Sequence, residues 1–255
     1  MIIILSPAKT LDYTIKNPDS FSKPVFLKES KELIANLKLK EPYEIASLMH
    51  LSDKLSVLNF ERFQSWKGKT SVSQDSKSAI SVFKGDVYQG LDAETLTKDG
   101  LKFAQRHLRI LSGLYGQLKP LDIIEPYRLE MGTKLSNNKG KNLYEFWGNK
   151  VINQIAKELD EMGSNLLINL ASVEYSSVLG KIPETIKVVS PVFKDKKGSK
   201  HKIVSFYAKK ARGVMARWII DNNIINATKL SAFSEDGYYS SKSESTESIP
   251  VFLRD

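Results

Sequence analysis

Nine polar residues stand beside short apolar runs, where strands or helices are expected to end. They are Lys9, Lys84, Asp86, Tyr127, Arg128, Glu130, Asn169, Ser172 and Glu174. Loops at strand ends are where ligand groups gather. Carboxylates mixed with lysine and arginine in one concave site could do general acid–base work or anchor a phosphate-bearing ligand. They could equally be ion pairs that satisfy loop backbone, and the residues alone do not separate the two readings. A second group is denser. Residues 194–217 hold Lys194, Lys196, Lys197, Lys200, Lys202, Lys209, Lys210, Arg212 and Arg217 against one acid, Asp195. The segment carries +8 of the chain's formal +9, and charge gathered in one place makes a local field that draws polyanions.

The elements that must position these groups can be read from apolar spacing. Ile2–Leu5 is a short aliphatic run closed by Ser6-Pro7, as in a central strand. Helices are expected over 29–39, 43–50, 53–65 and about 97–108, with a strand at Ala79–Phe83. Ile110-Leu111-Ser112 leads into a turn bracketed by Gly113 and Gly116, and Pro120 and Pro126 keep 117–128 irregular. One long helix is expected from Leu143 to Met162, then a buried strand at Leu166–Leu170 and a helix capped by Ser172. Strands at 186–193 and 201–206 bracket the lysine-rich turn; a helix from Tyr207 to Asp221 and a strand at Ile249–Leu253 follow. Ser240–Ser248 is Ser/Glu-rich and reads as a mobile loop.

On the helix after the turn, Ala208, Ala211, Val214, Met215, Trp218 and Ile219 form an apolar arc of about 140°. Lys209, Lys210 and Arg217 point the other way, Arg212 sits on the boundary, and Gly213 falls on the exposed side. An apolar face that docks the helix would hold its cations rigid, so they lose less entropy on meeting phosphate.

A chain of 255 residues with 41% hydrophobic content can bury a full core. The expectation is a single mixed α/β domain over 1–255, with a mixed sheet surrounded by helices. The absence of cysteine excludes disulfides, thiolate nucleophiles and cysteine metal sites, and His50, His107 and His201 have no metal-ligand spacing. No metal or cofactor is called for. Gly113-X-X-Gly116 lacks the P-loop lysine and the dinucleotide spacing, and Ser6 has no second member that would make it a nucleophile. With no leader-like or membrane-length apolar run, the chain reads as cytoplasmic.

Six strings together resemble the peroxide-stress protein YaaA family: SPAKT at Ser6–Thr10, FKGDVYQG at Phe83–Gly90, LSGLYG at Leu111–Gly116, PYRLEMG at Pro126–Gly132, NLAS with Glu174-Tyr175 at Asn169–Tyr175, and SFYAKKARG at Ser205–Gly213. The resemblance runs from end to end. It implies a single-domain α/β fold, a cytoplasmic protein that limits oxidative damage partly by keeping free iron low, and binding of double-stranded and distorted DNA through a helix-hairpin-helix and a positive cleft. The best match to that hairpin is Ile45–Trp66, with its turn near Leu55–Phe60 and Arg62 on its second helix; the Gly113–Gly116 turn is the other candidate.

Two functions follow. In the first, Lys196, Lys197, Lys200, Lys202, Lys209, Lys210, Arg212 and Arg217 contact phosphates of duplex or distorted DNA without sequence preference. In the second, an enzyme uses Lys9, Lys84, Asp86, Arg128, Glu130, Asn169, Ser172 and Glu174 on a nucleotide or other anionic small molecule.

Overall fold

The aliphatic run after Met1 becomes the middle strand of the larger sheet in the computed structural model, which describes residues 1–255. In chain order the strands are β1 Ile2–Leu5, β2 Thr10–Leu11, β3 Lys77–Ser78, β4 Phe83–Lys84, β5 Leu108–Ser112, β6 Gly116–Leu118, β7 Ile123–Ile124, β8 Leu166–Leu170, β9 Lys187–Val189, β10 Val192–Lys197, β11 Lys200–Lys202, β12 Tyr239–Ser240 and β13 Val251–Arg254. The helices are α1 Leu27–Leu37, α2 Pro42–Met49, α3 Asp53–Ser65, α4 Ala79–Val82, α5 Asp86–Leu91, α6 Lys98–His107, α7 Leu143–Trp147, α8 Lys150–Glu161, α9 Val173–Ser176 and α10 Ser205–Asp221. The result is the expected mixed α/β fold. No helix is long and apolar enough to cross a membrane.

The five-stranded sheet runs β6-β5-β1-β8-β9. β1 pairs in parallel with β5 on one side and β8 on the other, and β9 continues in parallel beyond β8. Such strands are covered on both faces and read as unbroken apolar runs, which is why Ile2, Ile3, Ile4 and Leu5 are all fully buried. A four-stranded sheet, β11-β10-β13-β12, lies against α10. An aromatic cluster fills its inner side: Phe193 stacks on Phe252, and Phe233 meets both Phe252 and Trp218 edge-on. Trp218 is half-buried there, as its place on the apolar arc requires.

Several elements depart from the sequence reading. Ala79–Val82 is a helical turn and not a strand, because the amides of Ala79 and Ile80 bond to the carbonyls of Asp122 and Pro120. The expected helix over Leu143–Met162 is two helices, broken where Gly148 takes φ +48°. The stretch 117–128 is not wholly irregular: Gln117-Leu118 extends β6 along β5, and Ile123-Ile124 pairs with β3. The predicted strand 186–193 is two strands parted at Ser190-Pro191, and β11 ends at Lys202, so Ser205 and Phe206 already belong to α10.

The largest correction concerns Gly213, which is buried rather than exposed. α5 crosses α10 so closely that a Cβ on Gly213 would lie 1.8 Å from the Val87 carbonyl oxygen, and one on Gly90 would lie 2.2 Å from that of Lys210. Two glycines face each other because the backbones leave room for nothing larger.

Gly213→Ala should therefore destabilise the protein by about 3 kcal/mol or more, measured by urea unfolding; a loss below about 1 kcal/mol would mean the crossing yields easily. A pH dependence also follows. His107 is buried with Nδ1 2.8 Å from the Met1 carbonyl, and burial lowers its imidazole below the ordinary value of 6.5. The unfolded chain then takes up the proton first, so this contribution is whole above about pH 6.5 and is lost as pH falls below it. The urea midpoint should drop between about pH 7 and 5.5, and His107→Gln should flatten that slope.

Candidate functional site

In the parallel part of the larger sheet the chain passes from β1 to β5 on one side, then back across to β8 on the other. Where the strand order reverses, the connections leave the carboxyl ends of β1 and β8 in opposite directions and open a crevice, the usual ligand position in open α/β sheets. Ser6 directly follows β1, and Ser172 lies two residues beyond β8. Ser172 N–H donates to Ser6 Oγ at 2.9 Å, and Ser6 Oγ lies 3.3 Å from Ser172 Oγ. Asn169 holds the bend between them by accepting the Ala171 amide at 3.1 Å, and Tyr88 of α5 donates to the Ser6 carbonyl at 3.1 Å.

Three residues beyond Ser6, Lys9 Nζ lies 2.7 Å from Glu130 Oε2. The other oxygen of Glu130 accepts from Arg128 at 3.0 Å, so one carboxylate is held between two cations. Glu174 reaches the same loop and accepts the Gly132 amide at 3.0 Å. Tyr127 is buried and shares a hydrogen bond of 2.7 Å with Ser112 at the end of β5; burial drives its phenol well above the ordinary value. The Lys84-Gly85-Asp86 turn lies alongside, with a Cβ position at Gly85 3.6 Å from Ala8. Lys84 turns away to pair with Glu94, whereas Asp86 makes no ion pair at the start of α5. Lys9, Arg128, Glu130, Asn169, Ser172 and Glu174 thus share one edge, Asp86 borders it, and Lys84 is otherwise engaged.

Two side chains outside the sequence-derived cleft interact with it electrostatically. Arg62 on α3 is half-buried, and its guanidinium reaches only Asn59 Oδ1, at 3.4 Å. Burial lowers its pKa; the nearby Tyr13 oxygen raises it and the Arg128 charge lowers it again. Tyr13 donates to the Ile124 carbonyl at 3.2 Å. The sequence marks Arg62 only as a residue on the second helix of the expected helix-hairpin-helix, and nothing in the spacing links residue 13 or 62 to residue 128.

The basic segment divides. Its acid, Asp195, turns inward and is bound by Arg254 at 2.6 Å and the Tyr238 hydroxyl at 3.0 Å. Lys194 pairs with Glu244, Lys196 with Asp255 at 3.5 Å, and Lys210 with Asp236 at 3.3 Å. Arg217 donates to Asp221 at 2.7 Å, the Asp92 carbonyl at 2.8 Å and Thr95 Oγ1 at 2.6 Å, tying α10 to the turn after α5. Arg212 is largely sunk beside the core, which lowers its pKa by desolvation. Lys197, Lys200, Lys202 and Lys209 remain exposed with no carboxylate partner, among the exposed Ile203, Phe206 and Tyr207.

Comparison with known proteins bears on both regions. A family model described as peroxide stress protein YaaA matches residues 1–244. The chain belongs to this family. It is also similar over its full length to UPF0246 proteins: 50% identical to one from Aliivibrio fischeri, covering 98% of that protein, and 48% and 49% identical to ones from Shewanella halifaxensis and Shewanella piezotolerans, covering 99% of each. Membership ties the chain to peroxide stress.

Five of the six YaaA-like strings meet at the crevice or its border, and the sixth is joined to them where Gly213 crosses Gly90. Ile45–Trp66, the best match to the expected helix-hairpin-helix, spans α2 and α3, but the turn between these helices is not at Leu55–Phe60. Leu55–Phe60 lies inside the unbroken α3, and the turn is His50-Leu51-Ser52, with His50 at φ +53°. Gly113–Gly116 closes the β5–β6 hairpin and is no helical turn.

Arg217→Ala should lower stability by about 1–3 kcal/mol, since it removes charged hydrogen bonds between elements. Lys209→Ala should change it by less than about 0.5 kcal/mol. Equal losses in thermal unfolding would contradict the division of the segment into structural and free cations.

Proposed function

We propose that the protein acts in the cytoplasm during peroxide stress by binding duplex or distorted DNA without sequence preference, through the β10–β11 hairpin and the start of α10. The observation that carries this reading is the set of four unpartnered lysines, Lys197, Lys200, Lys202 and Lys209. Lys197 and Lys200 stand directly opposite each other across the hairpin, and like charges so placed destabilise a strand pair. A phosphate between them removes that cost. The face offers cations and no asparagine or glutamine with which to read base edges, so contacts position without specifying. Phe206 and Tyr207, ring centroids 5.7 Å apart beside these lysines, suit bases exposed where a duplex is distorted. Any influence on free iron is, in this reading, indirect, because a chain without cysteine and with three scattered histidines is poorly equipped to store the metal.

Four phosphate contacts predict a slope of log K against log[salt] of about −3 to −4, whereas engagement of all eight cations named from sequence would give about −7. Lys197→Ala with Lys200→Ala should halve the slope in a fluorescence-anisotropy titration of duplex DNA. Salt-independent binding, or none at low salt, overturns the proposal.

A further inference from the structure

The lysines of the β10–β11 hairpin lie on two sides of the sheet, and carboxylates meet those of one side only. Side chains alternate along a strand, and residues directly opposite each other share a side. Lys197, Lys200 and Lys202 therefore lie on the side of Asp195, while Lys194 and Lys196 lie on the other with His201. There Glu244 pairs with Lys194, and Asp255 lies 3.5 Å from Lys196 and 3.2 Å from His201. On the preceding strand, β9, Glu247 pairs with Lys187. We infer that Lys187, Lys194 and Lys196 form a second phosphate-binding face for duplex DNA, one that the protein masks with its own Glu247, Glu244 and Asp255.

Three lysines meet three carboxylates here, so the face is neutral with the acids in place and strongly cationic without them. Glu244 and Glu247 are three residues apart, at most about 11 Å of chain, so the two lysines that they hold are neighbours on one surface. The acids stand where phosphates would, one to each lysine. Their hold is weak by design of the surface: all three pairs are open to solvent, and exposed ion pairs add little to stability. A duplex has the advantage in the exchange, because each lysine that meets its backbone releases condensed counterions and a carboxylate releases none.

The segment that carries Glu244 and Glu247 is suited to withdrawal. Residues 240–248 contain no apolar side chain to anchor them in the core. Apart from the two ion pairs, Ser245 holds them: its Oγ donates to the Ser241 carbonyl at 2.6 Å and accepts the Val251 amide at 2.8 Å. Lys187 and Glu247 also line a cavity of about 830 Å³ whose only other acid is Asp160, so there is open space on the far side of that pair. The masked face rests on the DNA-binding reading of the hairpin and extends it: the unpartnered lysines make first contact, and the loop acids set how much more of the duplex is held.

Anisotropy titration of the full chain with duplex DNA at several salt concentrations tests the masking. Glu244→Gln with Glu247→Gln, both at exposed positions, should tighten binding at least about fivefold at low salt. It should also steepen the slope of log K against log[salt] by about 1.8, since each lysine newly meeting a phosphate adds about 0.9. Asp99→Asn with Glu161→Gln removes the same two charges from acids that pair only within their own helices, and should leave the slope unchanged. Lys187→Ala with Lys194→Ala should alter wild-type binding by less than about twofold, yet abolish the gain when added to the Glu244→Gln, Glu247→Gln variant. If the wild-type chain does not bind duplex DNA, the reading of the unpartnered lysines fails, but unmasking should still create binding with a slope near −1.8. A gain no larger than that of the Asp99→Asn, Glu161→Gln control overturns the inference, and so does a gain that survives loss of Lys187 and Lys194.

Discussion

The pairing of β1 with a parallel neighbour on each side governs the rest of the molecule. Parallel strands bring all their carboxyl ends to one edge, and the reversal of strand order between β1 and β8 keeps that edge open. Residues 6, 112 and 172 become neighbours by register alone, with Leu5 opposite Ile110 in β5 and Leu170 in β8. Everything polar at this edge depends on that alignment. A slip of one residue would turn the buried aliphatic side chains of β1 to the opposite face and carry Ser6 away from Ser172.

Charge is handled differently at the two ends of the molecule. At the crevice, opposite charges are drawn together and partly buried, with Glu130 held between Lys9 and Arg128. On the β10–β11 hairpin, acid is withdrawn: Asp195 faces Arg254 and Tyr238 inside, and the outer surface is left cationic. The acidic residues that reach the lysines of this hairpin come from the end of the chain, Glu244 to Lys194 and Asp255 to Lys196. Both regions lie within the family match, which covers residues 1–244. The physical link between them is the contact of α5 with α10.

How much of this could be read from sequence depends on whether a residue's partners are local. The aliphatic run of β1, the buried β8 and the apolar arc of α10 declare themselves, because burial imposes a period on neighbouring residues. Gly148 ends a helix in the middle of a good amphipathic pattern, since a positive φ leaves no trace in hydropathy. The polar loop residues could be named but not sorted: Lys84 and Lys9 look alike until Glu94 and Glu130 are placed beside them. Arg217 sits on the polar side of its helical wheel, yet its guanidinium bonds to a turn some 120 residues earlier in the chain. Gly213 was misjudged for the same reason. A wheel identifies the apolar face of one helix and cannot register a second backbone pressed against the other.

That contact also sets a gauge. Advancing α10 by one residue shifts it about 1.5 Å and turns it about 100°, which would bring Arg212 or Val214 to the place where Gly213 admits the Val87 carbonyl. Neither side chain can enter, and Gly90 forbids the same movement from the α5 side. The two helices therefore mesh at a single notch, like a key with one cut. The distance along the molecule from the lysines of α10 to the crevice at Ser6 is consequently a fixed length, and any ligand that spans both must match it.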